Sequence, residues 1–348
     1  MKRAALILTF ASLLASLTPS VAPAQETLRV GWCSKTLNAS MAPFAVAQEK
    51  GWFEDNNVKF ELFTFAGSTD CMRNLATGEL TTVLAAPEPL GILSAQGVKA
   101  KVFFESYRRN IFGLAVPTDS DIKTNADLAG KTIGVPSMGS VAVVLARSVA
   151  ASAGVDPQTG IRIVVSGEPA QTAVLMQRGE IDVLSQFDTY YTLIERAGVP
   201  LRRIEDPAIA SFPSNSWIAL DETITERREE LVGFARAFAM GTAYSIAHPR
   251  EAIALVYKHY PQTKPQGIEL EQAITNDMAV IQDRIDTWQL DNPQTDKWGT
   301  VGVEKFQAYF DFLQKWGVLP QKVDAANLVT NDLIDDINTF DKAAVETK

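Results

Sequence analysis

The sequence is poor in histidine and cysteine. Its 348 residues include only two histidines, His248 and His259, and only two cysteines, Cys33 and Cys71. Neither histidine has a cysteine nearby in the sequence, which argues against a histidine-based metal site or catalytic triad. The chain also lacks G-x-G-x-x-G and G-x-S-x-G loops, so dinucleotide-binding and serine-hydrolase functions are not indicated. We therefore expect no catalytic residue, no metal and no cofactor.

Long apolar runs are confined to the beginning of the chain. Lys2 and Arg3 precede an apolar run over residues 4–17, and small residues follow up to Ala22-Pro23-Ala24. This order predicts a secretory signal peptide at residues 1–24, with a mature protein that begins near Gln25 and is free in the periplasm. No later stretch reaches about 18 apolar residues, so we expect no direct membrane insertion.

The charge balance limits the kinds of partner. The chain has a formal net charge of −9, which argues against nucleic acid or an anionic membrane surface as a partner. Local binding of a small anion stays possible, because helix N-termini and one or two basic side chains suffice for it. A composition of 46% hydrophobic and 21% charged residues predicts a globular protein large enough for two domains. We expect a monomer.

One pattern of strand, turn, helix and strand occurs twice. Gly78, Glu79 and Leu80 in the first copy align with Gly179, Glu180 and Ile181 in the second at a constant offset. The first copy predicts a strand over 58–65 and a helix over 70–77, and the second a strand over 161–165 and a helix over 170–178. Chance recurrence in an α/β chain is the alternative, but the preceding unit, residues 30–51, is also mirrored by residues 127–154. The repeat predicts two βαβ units, each building its own parallel sheet, with ligand crevices at the carboxyl ends of the strands.

Two breaks divide the chain. Ser106-Tyr107-Arg108-Arg109-Asn110 and the segment 211–216 interrupt the repeat, and the pattern is helical from Arg227 onward. We predict that residues 25–110 and 214–348 form a first, discontinuous lobe. Residues 111–213 would form an inserted second lobe, and the two breaks would be hinge strands. The predicted fold class is α/β, with two doubly wound lobes and a ligand cleft between them.

Both cysteines follow strands of the first unit. Neighbouring parallel strands lie about 5 Å apart, so a disulfide between Cys33 and Cys71 is plausible in an oxidising compartment. Two free thiols in the cleft are an equally good interpretation.

Polar and aromatic side chains cluster at the predicted strand ends. Ser68-Thr69 and Gly139-Ser140 place hydroxyl and N–H groups at helix starts, where they favour either an acceptor-rich ligand group or ordinary N-capping. The other candidates are the aromatic residues Trp32, Phe187, Tyr190 and Tyr191, the cations Lys35, Arg108 and Arg109, and the acids Asp70, Glu88 and Asp188. Apolar walls with a few convergent polar groups are typical of a small-molecule site, although each aromatic residue alone is more typical of a core.

With these residues in view, the chain resembles the periplasmic substrate-binding proteins of ABC importers for nitrate, sulfonates, taurine and thiamine-pyrimidine precursors, the NMT1-like family. The likeness lies in Pro43-Phe44-Ala45-Val46-Ala47 through Gly51-Trp52-Phe53, Gly67-Ser68-Thr69, Gly78-Glu79-Leu80 and Asp127-Leu128-Ala129-Gly130-Lys131-Thr132-Ile133-Gly134-Val135. It implies a type II periplasmic-binding-protein fold, hinge closure around a small-molecule ligand, and delivery to an ABC transporter permease in the inner membrane.

The resemblance also implies ligand contacts. Carried over position by position, they are Trp32, Cys33, Ser34, Lys35, Ser68, Thr69, Pro87, Glu88, Gly139, Ser140, Gln186, Phe187, Asp188 and Asn215, with Tyr190 beside them. The loops 31–33 and 185–188 depart from the sulfonate and nitrate pattern. The nearby aromatic residues favour a planar or aromatic organic compound over an inorganic ion, and an organic anion is the other expected ligand.

Two other functions fit the same scaffold. One is an enzyme, since fungal pyrimidine-precursor synthases look like this family, but these need a lysine and a reactive histidine in the cleft. Neither His248 nor His259 falls in a predicted cleft loop. The other is a sensory module that presents its ligand to a receptor.

Overall fold

The computed structural model describes residues 26–347, so the predicted signal peptide lies outside the described residues. These residues contain ten β-strands. The strands are β1 (Leu28–Trp32), β2 (Phe60–Thr64), β3 (Thr82–Ala85), β4 (Ala100–Glu105), β5 (Phe112–Pro117), β6 (Thr132–Val135), β7 (Arg162–Val165), β8 (Val183–Phe187), β9 (Leu201–Ile204) and β10 (Ser216–Leu220).

Helices cover both sheets and make up most of the chain after β10. They are α1 (Ala42–Glu49), α2 (Trp52–Asp55), α3 (Ser68–Ala76), α4 (Glu88–Ser94), α5 (Val141–Ser152), α6 (Pro169–Gln177), α7 (Asp188–Arg196), α8 (Pro207–Ala210), α9 (Asp221–Glu226), α10 (Arg228–Ala247), α11 (Pro249–His259), α12 (Leu270–Trp288), α13 (Val303–Lys315), α14 (Ile334–Ile337) and α15 (Lys342–Thr347). Within residues 26–347, no helix combines the length and the apolar character needed to cross a bilayer.

The strands form two five-stranded sheets with the same layout. The first sheet has the order β2-β1-β3-β10-β4 and the second has the order β7-β6-β8-β5-β9. Strands β1, β2 and β3 therefore correspond to β6, β7 and β8, which makes the repeat in the sequence a repeat in the fold. The structure has the two α/β lobes that the sequence predicts.

The prediction of parallel sheets is wrong for one strand in each. Strand β10 runs antiparallel to β3 and β4, and β5 runs antiparallel to β8 and β9. Each of these strands directly follows a crossing from one lobe to the other. A chain that leaves the carboxyl edge of one sheet enters the facing carboxyl edge of the other, and it must then run against the parallel strands there. The crossings are residues 106–111 and 205–215, while the residue boundaries proposed for the lobes stay a prediction.

One glycine in each first strand shows how closely the two halves match. A Cβ on Gly31 would lie 2.9 Å from Leu80 and 2.7 Å from Val83, and a Cβ on Gly134 would lie 2.8 Å from Ile181. Leu80 and Ile181 are the apolar residues aligned by the sequence repeat. In each lobe a branched apolar side chain therefore packs directly on the backbone of a strand glycine, where a side chain would leave no room for it.

An aromatic cluster fixes the helices of the first lobe. Phe44 in α1, Phe234 in α10 and Trp217 in β10 are fully or almost fully buried, with ring centroids 4.9 Å apart for Trp217 and Phe234 and 5.9 Å apart for Phe44 and Trp217. Gly241 permits close packing of α10 on α1, since a Cβ there would lie 2.0 Å from the Pro43 carbonyl oxygen. The C-terminal helices are therefore joined to the first lobe. Helix α12 packs against α11 and also reaches α7 of the second lobe.

Candidate functional site

A cavity lies between the carboxyl ends of the two sheets. Trp32 and Leu84 come from the ends of β1 and β3, Phe187 comes from the end of β8, and Ser140 follows β6. A contiguous cleft leads from it to the rim and adds Lys35, Ser137, Glu168 and Tyr190 to the lining. The cavity is therefore built where the sequence places the crevice.

Two serine hydroxyls mark helix starts in the cavity wall. Ser68 Oγ accepts a hydrogen bond from the Ala86 N–H at 3.0 Å, which joins the start of α3 to the end of β3. Ser140 Oγ accepts from the Ala142 N–H at 3.2 Å and so acts as the N-cap of α5. Ordinary capping thus accounts for the Ser140 hydroxyl, while each hydroxyl keeps a second lone pair for a ligand.

Aromatic rings form much of the remaining wall. Phe112 and Phe187 face each other in the β5–β8 register, with centroids 5.9 Å apart in an edge-to-face arrangement. The Trp32 indole N–H donates to the Thr36 carbonyl at 3.3 Å, which holds the loop after β1 against the ring. Tyr107, in the first crossing, adds another buried ring. The cavity lining thus combines four aromatic rings with hydroxyl and amide side chains and one arginine.

Arg284 brings a buried cation into this wall. Its Nη1 donates to the Asp188 carboxylate, with distances of 2.9 and 3.0 Å to the two oxygens, and its Nη2 lies 3.3 Å from Thr189 Oγ1. The guanidinium carbon lies 4.7 Å from the centroid of the Tyr107 ring. Burial raises the pKa of Asp188 to about 6, and the attraction of Arg284 opposes this rise.

The Asp188–Arg284 pair is one end of a polar ladder between α7 and α12. One turn further along α7, Thr192 Oγ1 donates to Asp283 at 2.5 Å, and at the next turn Arg196 Nη1 donates to Asp277 at 2.6 Å. Positions 188, 192 and 196 share one helix face because they are four residues apart. This ladder connects the second lobe to the C-terminal helices along one side of the cavity.

Backbone contacts connect the lobes on another side. The Thr69 N–H donates to the Gly139 carbonyl at 3.3 Å, and Ser137 Oγ donates to the Ala66 carbonyl. Gly67 has a φ of +130°, and a Cβ on it would lie 2.4 Å from the Gly139 oxygen. Only a residue without a side chain permits this approach. The two lobes therefore touch on both sides of the cavity.

A third set of contacts lies at the rim. The Thr36 hydroxyl is hydrogen-bonded to both Glu168 and Tyr190, and the Tyr190 hydroxyl donates to Glu168 at 3.1 Å. Asn38 Nδ2 lies 3.5 Å from Thr189 Oγ1. The loop after β1 thus binds to the starts of α6 and α7 in the other lobe.

The structure brings nine of the predicted residues to the cavity or its rim. They are Trp32, Cys33, Ser34, Lys35, Ser68, Ser140, Phe187, Tyr190 and Asn215. Six others do not line it. Thr69 and Gly139 are in the contact between lobes, Asp188 binds Arg284, and Gln186 donates to Ser166 Oγ at 3.2 Å. Pro87 and Glu88 lie behind the wall, where Glu88 accepts a hydrogen bond from Tyr309.

Sequence reasoning missed several lining residues, notably Gly67, Tyr107 and Arg284. A signal for Arg284 does exist. In α12 the buried positions 273, 277, 280, 284 and 288 follow one another at intervals of three or four residues. Asp277 and Arg284 interrupt this otherwise mainly apolar stripe. Charged residues at core positions of an amphipathic helix indicate a buried partner or a site.

The two cysteines and the two histidines all have bonding partners within the described part of the chain. Cys33 and Cys71 form a disulfide with their Cα atoms 5.6 Å apart, joining the loop after β1 to α3. His248 Nε2 is hydrogen-bonded to the Glu346 carbonyl, and His259 Nε2 is hydrogen-bonded to Glu49. Both histidines lie among the outer helices of the first lobe and neither lines the cavity.

Glu88 gives a prediction about stability and pH. Burial raises its pKa from 4.5 to about 7, and the Tyr309 hydrogen bond offsets only part of this rise. The folded protein thus holds this proton more tightly than the unfolded chain, so stability is contributed below pH 4.5 and lost as the pH rises through 7. Relative to Glu88→Gln, we expect the wild-type free energy of unfolding to fall by up to about 3 kcal/mol between pH 4.5 and 8. Urea unfolding of both proteins across this range measures the difference, and parallel pH curves would contradict it.

Comparison with known proteins now defines the class. The fold, two lobes around a cleft, is that of periplasmic binding proteins. The alkanesulfonate-binding protein SsuA from Xanthomonas axonopodis pv. citri, solved with MOPS bound, superposes with a TM-score of 0.64 at 17% identity, over 87% of this chain and 98% of that one. The nitrate-binding protein NrtA from Synechocystis PCC 6803 superposes with a TM-score of 0.63 at 14% identity, over 88% and 86% of the two chains.

Sequence comparison defines the family. The NMT1/THI5-like family model matches residues 38–252, more than half of the chain, and the chain belongs to that family. Over 345 residues it is also 24% identical to the riboflavin-binding protein RibY of Chloroflexus aurantiacus, with 94% of this chain and 95% of that protein aligned.

Proposed function

We propose that this protein is the periplasmic solute-binding component of an ABC importer, and that it captures a small planar aromatic compound between its lobes by hinge closure. The observation that carries the proposal is the cavity between the strand ends, which has aromatic walls and is flanked by contacts from both lobes. A rotation of the lobes about the two crossings would separate these contacts and expose the cavity. Delivery to a permease rests on membership of the family.

The cavity favours an organic ligand over an inorganic ion. Small-molecule sites combine apolar and aromatic walls with a few placed polar groups, and the lining of this cavity has that composition. Trp32, Tyr107, Phe112 and Phe187 offer ring faces and edges, which suit a flat π system. Among the relatives, RibY is named for binding riboflavin, a flat heterocycle, while SsuA and NrtA are named for binding alkanesulfonate and nitrate.

Ligand screening tests this function directly. The mature chain would be measured by thermal shift and by isothermal titration calorimetry against riboflavin, lumichrome, aminopyrimidines, an alkanesulfonate and nitrate. A ligand that binds only the folded state raises the melting temperature, so we expect a rise with at least one flat heterocycle and none with nitrate. Binding of nitrate or an alkanesulfonate alone would contradict the aromatic ligand. Conversion of a bound compound to a product would favour an enzyme instead.

Phe187→Ala provides the matching variant. Removing this ring deletes one wall of the cavity and its edge-to-face partner for Phe112, so we expect a 10- to 100-fold loss of affinity for the best ligand. Phe312→Ala is the matched control, because Phe312 is also a partly buried aromatic residue but packs on Phe212 and Trp316 away from the cavity. The control should lose stability and keep its affinity. Equal affinity losses in both variants would refute the assignment of Phe187.

Ser140→Ala is a less selective test. The Ser140 hydroxyl caps α5, so its loss should cost about 1 kcal/mol of stability whether or not it touches the ligand. Its effect on binding is interpretable only after correction for that loss.

A further inference from the structure

Two residues of the cavity lining each have a buried polar atom without a hydrogen-bond partner in the part of the chain that the structure describes. Arg284 is 3% exposed, and its Nε–H has no hydrogen-bond partner among residues 26–347. Asn215 Oδ1 is likewise buried without a partner within the described chain. Both residues line the cavity. A buried donor and a buried acceptor left unpaired are costly, and such atoms in a native protein are candidates for ligand contacts.

The lining of the inner cavity includes the arginine Arg284 but, together with its partner Asp188, has no net charge. The positive charge of Arg284 is balanced by Asp188 at 2.9 Å. The other charged side chains of the lining, Lys35 and Glu168, lie in the rim cleft and have opposite signs. A sulfonate or carboxylate placed beside Arg284 would find its charge already compensated and would lose its hydration without a matching cation.

The donor is held in a fixed position. Asp188 and Thr189 hold the two terminal nitrogens of the guanidinium, and the Tyr107 ring packs 4.7 Å from its carbon. The planar group therefore has little freedom to turn when a ligand binds, and its Nε–H needs no reorganisation. A fixed donor of this kind favours ligands that have a hydrogen-bond acceptor at the matching position over ligands that lack one.

We propose that Arg284 and Asn215 determine specificity, and that they select a neutral heterocycle with a ring carbonyl beside a ring N–H, as in a lactam or cyclic imide. The Arg284 Nε–H donates to the ring carbonyl, and Asn215 Oδ1 accepts from the ring N–H. The aromatic rings of the wall cover the faces of the ring system. This inference rests on the proposed function and narrows its ligand from any flat aromatic compound to one with this neutral polar edge.

Methylation of the ring N–H tests the role of Asn215. Riboflavin and 3-methylriboflavin share one ring system and differ at the imide N–H, so calorimetry with both isolates that contact. We expect methylation to weaken binding to the wild type by 10- to 100-fold. In Asn215→Ala, riboflavin itself should bind more weakly and the methylation penalty should fall below threefold. Equal binding of the two compounds to the wild type would overturn the inference and leave the proposed function intact.

A charge change tests the role of Arg284. Asp188→Asn keeps the shape of the pair but frees the arginine's positive charge, so we expect it to gain at least tenfold in affinity for 2-naphthalenesulfonate over the wild type. The double variant Arg284→Met/Asp188→Asn leaves no buried charge unpaired, and it should lose 10- to 100-fold in affinity for riboflavin without that gain. Preference of the wild type for the sulfonate, or unchanged riboflavin affinity in the double variant, would overturn the inference. Failure of every flat heterocycle to bind the wild type would instead refute the proposed function.

Discussion

Replacing Gly67 by alanine is expected to reduce ligand affinity by at least 100-fold. A methyl group at this position would lie 2.4 Å from the Gly139 carbonyl oxygen in the opposite lobe, which is backbone and has no rotamer to adopt. The lobes must then stay apart along this side, and the Thr69–Gly139 hydrogen bond is lost with them. A 100-fold change in affinity corresponds to about 2.8 kcal/mol. Calorimetry with the best ligand measures this change.

The control separates blocked closure from backbone strain. Gly67 has φ at +130°, so alanine also strains the chain there by about 1–3 kcal/mol. Gly78 has φ at +77° with no atom within 4 Å of its added Cβ, so Gly78→Ala introduces strain without a contact between lobes. Gly78→Ala should lower the melting temperature and bind ligand normally. Wild-type affinity in Gly67→Ala would show that the lobes bind ligand without this contact.

Removing the disulfide should have the largest effect on stability. Cys33 and Cys71 are 38 residues apart in sequence, and the chain-entropy relation for a loop of that size gives about 4 kcal/mol. The bond also holds the loop after β1, which carries Ser34 and Thr36 into the site next to Trp32. We expect the variant Cys33→Ser/Cys71→Ser to unfold at a clearly lower urea concentration and to bind ligand more weakly.

The measurement compares three samples: the oxidised wild type, the wild type in reductant, and the double variant. Reduced wild type and variant should unfold together, well below the oxidised protein. An unchanged midpoint in both would show that the disulfide does not stabilise the fold. A shift in the variant but not in the reduced protein would attribute the loss to the serine hydroxyls, since buried polar groups without partners also destabilise.

Much of the fold follows from local sequence patterns. The Gly-Glu-apolar triplets at 78–80 and 179–181 come from equivalent positions of the two sheets, so their alignment predicted the repeat correctly. The direction of β5 and β10 was not predictable in the same way. A strand pattern states which residues alternate or are buried, but not which way the strand runs, and that direction depends on how the facing lobes are connected.

The site shows the same limit. Trp32 and Phe187 end strands β1 and β8, and Ser68 and Ser140 lie at the starts of the helices after β2 and β6. The rule that ligands bind at carboxyl ends of parallel strands therefore places them at the cavity. Arg284 comes from a helix almost a hundred residues after the last cleft loop of the second lobe, and only tertiary packing brings it there. The sequence also left open whether Cys33 and Cys71 form a disulfide, because the spacing of neighbouring strands allows the bond but does not require it.

The duplicated architecture separates two tasks. The repeated halves contribute comparable parts to the cavity: a residue at the end of a strand, a helix start and a ring. The polar groups proposed to contact the ligand's edge lie outside the repeated units, with Asn215 in the second crossing and Arg284 in α12. Under the proposed function, substitutions at these two positions would change the ligand that is selected, while the repeated units that form the two lobes stay unchanged.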